Sequence, residues 1–64
     1  MPENGVIEQF KGKDGVLVAE IVQDENGNYD LWKIDRPNNS CIGNYHDIAA
    51  ACAEAQMIAI RYNQ

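Results

Sequence analysis

The chain has 64 residues, enough for one domain with a thin core. A core of this size rarely supplies more than about 3–5 kcal/mol without a disulfide, a metal or oligomerisation. Ten acidic against five basic residues give a formal net charge of −5, which repels phosphate backbones and anionic membranes and argues against both as partners.

The apolar fraction, 45%, is that of an ordinary globular protein, so disorder is not expected. No apolar run is long enough to span a bilayer. The start, MPENGVIEQF, has neither a basic segment nor a long apolar stretch. It does not read as a secretory signal, and a cytoplasmic protein is expected.

Met1 to Gly5 is polar and reads as a frayed start. Val6 to Phe10 has the length of a short strand, with Val6, Glu8 and Phe10 on one side. Lys11 to Gly15 is a turn carrying two glycines.

The clearest local signal follows, VLVAEIVQDENGNYDLWKID. Two β-rich runs flank Asn26-Gly27, the strongest short hairpin signature. A two-residue type I′ turn there sets Ile21 opposite Trp32, Val22 opposite Leu31 and Glu20 opposite Lys33. Leu17, Ala19, Ile21, Trp32 and Ile34 then share the core face. Glu20 and Lys33 pair as opposite charges across the strands. The other face holds Val16, Val18, Val22, Tyr29 and Leu31, which is too apolar for a fully solvated surface. Tyr29 and Leu31 are therefore candidate interface residues.

Arg36 to Ser40 is a loop, because Pro37 cannot donate to a ladder and its neighbours are turn formers. Cys41 to Tyr45 is a short strand. From Asp47 to Tyr62 the pattern is helical, with His46 or Asn44 as the expected N-cap. Asp47 in the first turn and Arg61 in the last both suit the helix dipole.

This helix carries two apolar stripes. At about 100° per residue, Ile48, Ala51, Cys52, Ala55, Ile58, Ala59 and Tyr62 fall on one face. Ala49, Ala53, Met57 and Ile60 fall on another, with Ala50 beside them. One stripe is enough to cover the sheet. The second has no use in a lone monomer and points to a protein partner, with a second copy of the chain as the leading choice.

The remaining chemistry is sparse. Cys41, His46 and Cys52 are the only soft metal ligands, their spacing matches no familiar zinc module, and no metal or cofactor is expected. A cysteine nucleophile needs an electropositive setting that an acidic chain does not offer. With no secretory signal, both cysteines are expected to be reduced. The glycines of KGKDG lack the pattern of a phosphate loop. Most carboxylates sit in turns, and so short a chain can hardly enclose one in a partly dry cleft, so an enzyme is not expected.

The sequence thus predicts an α+β fold over residues 1–64: an antiparallel sheet of three strands, four if Val6 to Phe10 pairs, packed on one C-terminal helix. Its expected role is a small acidic protein–protein interaction module, homodimeric, acting as adaptor, regulator or inhibitor. Its interface residues would be Ala49, Ala53, Met57 and Ile60 with Tyr29 and Leu31. The alternative is an acidic decoy that occupies a nucleic-acid-binding site on another protein.

Overall fold

The computed structural model describes residues 5–35 and 38–62. The expected start at Met1 to Asn4 and the loop positions Arg36 and Pro37 lie outside them. The order is β1 (Val6–Lys11), β2 (Leu17–Gln23), β3 (Tyr29–Lys33), β4 (Ser40–Tyr45) and α1 (Ile48–Tyr62). The strands form one antiparallel sheet in the order β1-β2-β3-β4, with α1 packed against it. The fold is α+β, and Val6–Lys11 is the fourth strand.

Both tight hairpins use the same turn. At the first, the Gly12 N–H donates to the Val16 carbonyl and the Gly15 N–H to the Gly12 carbonyl. At the second, the Asp24 N–H donates to the Asn28 carbonyl and the Gly27 N–H to the Asp24 carbonyl. Each loop has three residues, and the last is a glycine at positive φ, 85° for Gly15 and 83° for Gly27. This matches a type I turn closed by a glycine bulge.

The expected two-residue turn at Asn26-Gly27 is therefore corrected. A type I′ turn needs positive φ at both central residues, and among the described residues only glycines have it. The cause is Asp24. Its Oδ1 accepts the N–H groups of Asn26 and Asn28, each at 2.9 Å, and so starts the turn earlier.

The register slips by one residue as a result. Ile21 faces Leu31, Glu20 faces Trp32, and Ala19 faces Lys33. Because strand side chains alternate, such a slip moves every β3 side chain to the opposite face. Leu31 takes the core place expected for Trp32. The expected Glu20–Lys33 pair is not formed in this ladder.

The buried core is Val18, Ala19, Ile21, Leu31, Ala51 and Ala55. Phe10, Tyr29, Tyr45, Cys52, Ile58 and Ala59 pack around it. Alanines at 51 and 55 bring the helix axis close to the sheet. Among the described residues no helix lies over the opposite sheet face, which carries Gln9, Glu20, Val22, Asp30, Trp32 and Asn44. There the Gln9 Nε2 donates to Glu20 Oε2 at 2.9 Å, and the Asn44 Nδ2 donates to Asp30 Oδ1 at 2.6 Å and Asp24 Oδ2 at 3.1 Å.

Three register shifts leave Ile7 without a direct partner on β2, Val18 without one on β1 and Ile42 without one on β3. Each is a β-bulge, which re-aims the extra side chain. This explains why Val18 and Ala19, consecutive in β2, are both buried.

Candidate interaction surface

Helix α1 starts one residue later than expected, because Asp47 is its N-cap. Its Oδ1 accepts the Ala49 N–H at 2.9 Å, and its carbonyl accepts the N–H groups of Ala50 and Ala51. This is the ordinary capping arrangement and corrects the choice of His46 or Asn44. The His46 Nδ1 instead lies 2.9 Å from Asn28 Oδ1, and Asn44 bridges the two aspartates on the open sheet face. Arg61 occupies the last turn, where its charge complements the dipole.

The two helix stripes have different environments. Ala51 and Ala55 are sealed against the sheet, with Cys52, Ile58 and Ala59 packed beside them. The other stripe faces away. Met57 and Ile60 are 43% and 53% exposed, and Ala49, Ala53 and the neighbouring Ala50 are exposed as well. Glu54 and Arg61, both exposed, run along one flank of this outer stripe, and Gln56 lies on the other flank.

Below the Glu54–Arg61 flank lies an open cleft of about 560 Å³ between the end of the helix and the sheet. Its apolar lining comes from Val18, Ile34, Ile42, Ile58 and Tyr62. Two of these, Val18 and Ile42, are bulge residues, so the irregular register builds this wall. Lys33, Asp35, Glu54 and Arg61 form a mixed-charge rim. An apolar floor with a polar rim is the usual anatomy of a protein contact. The sequence carried no signal for it, since an unpaired Ile or Val reads like any other strand residue.

The two sheet residues expected at the interface are placed elsewhere. Leu31 is 0% exposed and belongs to the core. Tyr29 is half-buried and packs on the core from the same face as Leu31. Both move because of the one-residue slip. Trp32 takes the open-face position instead, half-buried between Glu20 and Cys41 of the adjacent strands.

The soft ligands are not assembled. Cys41 is an exposed thiol on β4, 3.6 Å from the Gly43 carbonyl, and Cys52 is a partly buried thiol on the helix. Among the described residues no three His, Cys, Asp or Glu side chains are placed to hold a metal ion together. Among them, too, no helix is long and apolar enough to cross a membrane.

Two ionisable groups depart from their ordinary behaviour. Desolvation pushes the Asp24 carboxyl up, but hydrogen bonds from the Asn28 backbone, the Asn44 side chain and the backbones of Asn26 and Gly27 outweigh it and leave its pKa below 3.8. The Tyr62 hydroxyl donates to Asp14 Oδ2 at 3.3 Å. The charge of Asp14 raises the Tyr62 pKa above 10.0, with desolvation and that hydrogen bond acting the same way. Neither group lies in an enclosed site.

Compared with protein-family models, with curated proteins and with solved structures, the chain matches none.

Proposed function

We propose that this chain is a non-catalytic protein–protein interaction module that self-associates through the outer face of α1. It would serve as an adaptor, regulator or inhibitor. One observation carries this reading: Met57 and Ile60 stand in solvent beside Ala49 and Ala53, while Ala51, Cys52, Ala55, Ile58 and Ala59 of a separate stripe pack on the core. The physical motive is the thin core. Among the described residues, only Ile21 and Leu31 are large side chains with essentially no exposure, and burying a second apolar surface against another copy adds stability by mass action.

Light scattering at tens of micromolar protein tests it. The expected mass is twice that of the monomer, and Met57→Glu with Ile60→Lys should return a folded monomer or an unfolded chain. A monomeric wild type across that range would defeat the self-association reading.

A second reading has its own observation. The ladder partners of Glu20 are Gln9 and Trp32, and those of Asp30 are Val22 and Asn44. Two carboxylates and the single tryptophan thus share the open sheet face with no Lys or Arg directly across from either acid. Such a face suits a basic surface, as an acidic decoy would require. High salt separates the two readings: an apolar helix contact tolerates it, whereas a charge-held partner is released.

A further inference from the structure

We propose that two copies pair through antiparallel α1 helices, with the two-fold axis beside Met57 and Glu54 of each copy paired with the partner's Arg61. This rests on the self-association reading and assigns its geometry.

Ile60 lies three residues after Met57, and Ala53 lies four before it. Arg61 lies four after, and Glu54 three before. Centring an antiparallel pair beside Met57 brings Ile60 level with the partner's Ala53. It brings Arg61 level with the partner's Glu54. Each match holds to within one residue, about 1.5 Å of rise. The large Ile60 then sits over the small Ala53 of the partner subunit, so the contact interdigitates without a void. Met57, an adaptable side chain, meets its own copy at the axis.

The flanks decide the direction. In an antiparallel pair each flank meets the same flank of the other copy. Glu54 and Arg61 lie within about 20° of each other around the helix, so both charges find their opposites twice. In a parallel pair their flank would meet the one that carries Gln56, and no charge pairing would result. The sheet covers the far side of α1 at Ala51 and Ala55, so a partner helix approaches the outer stripe without obstruction. The assembly would be layered sheet, helix, helix, sheet.

Charge reversal tests both the contact and its direction, with dimer affinity read by sedimentation equilibrium. Glu54→Arg alone and Arg61→Glu alone each replace two attractions with two repulsions, and each should weaken homodimerisation by roughly tenfold. Mixing the two variants should restore association to near wild type, because every pair across the mixed dimer is again opposite in sign. That recovery also establishes that each variant is folded. A wild-type dimer whose affinity ignores the single reversals, or two weakened variants that fail to recover on mixing, would overturn the antiparallel geometry and leave self-association standing. A monomeric wild type would remove both.

Discussion

Ile21 stands directly opposite Leu31 in the β2–β3 ladder, and both side chains are sealed from solvent. The pair is the centre of the core, with Ala51 and Ala55 in the same buried cluster. Leu31→Ala should cost roughly 2–5 kcal/mol, the range for truncating a buried leucine, measured by urea unfolding. Trp32→Ala, on the open face, should cost clearly less. If Trp32 proves the more costly of the two, the register is that of the two-residue turn. Side-chain NOEs from Ile21 to Leu31 rather than to Trp32 would check the same point.

Gly43 lies under the ring of Tyr45. A methyl group at Gly43 would meet the Tyr45 ring and hydroxyl at 2.9 Å, closer than real side chains approach. Gly43 does not have positive φ, so backbone strain is not the obstacle. Gly43→Ala should destabilise by about 1–3 kcal/mol through overpacking. In a Tyr45→Ser background the same change should be nearly neutral. A double-mutant cycle read by thermal unfolding measures that coupling, and equal costs in the two backgrounds would show that the ring is not the cause.

Asp24 makes stability acid-sensitive. Its folded pKa lies below the ordinary aspartate value, so on acidification the unfolded chain takes up the proton first. The stabilisation is complete above the ordinary aspartate range. It is lost as pH falls through that range to the folded value. Asp24→Asn should flatten this part of the stability profile. Carbon NMR of the Asp24 carboxyl should give a midpoint below 3.8, and a midpoint above it would contradict the hydrogen bonding at the turn.

Tyr62 has the opposite slope. Its folded pKa is raised by Asp14, so above pH 10 the unfolded chain ionises first and stability falls as pH rises toward the folded value. Asp14→Asn should bring the tyrosine titration back toward 10, read from tyrosinate absorbance. Tyr62→Phe should remove that contribution to the alkaline slope. An unchanged slope in Tyr62→Phe would show that the Tyr62–Asp14 contact is not its cause.

The elements were legible because periodicity and punctuation agree. Gly15 and Gly27 mark the turns, and the apolar repeat at Ala51, Ala55, Ile58 and Tyr62 marks the helix face. The outer stripe was legible for the same reason. The register was not, because Asn26-Gly27 suits both a two-residue and a three-residue loop, and the choice lies with the Asp24 carboxylate. That single ambiguity exchanged Trp32 with Leu31 and carried Tyr29 off the candidate surface. The cap was missed because Asp47 is equally suited to the first helical turn. The cleft wall was missed because bulges at Val18 and Ile42 depend on pairing between strands, which local sequence does not encode.

The sheet is a meander in which each strand pairs with its neighbour in the chain, and its buried face is closed by α1. On the ribosome this imposes an order. The strands emerge first, and Ile21 and Leu31 remain uncovered until the segment through Ala55 has left the exit tunnel. During that interval the nascent chain presents an apolar sheet with open edges at β1 and β4, the state in which wrong pairing is most favourable. The bulges at Ile7 and Ile42 interrupt both edges, which disfavours pairing of another strand there.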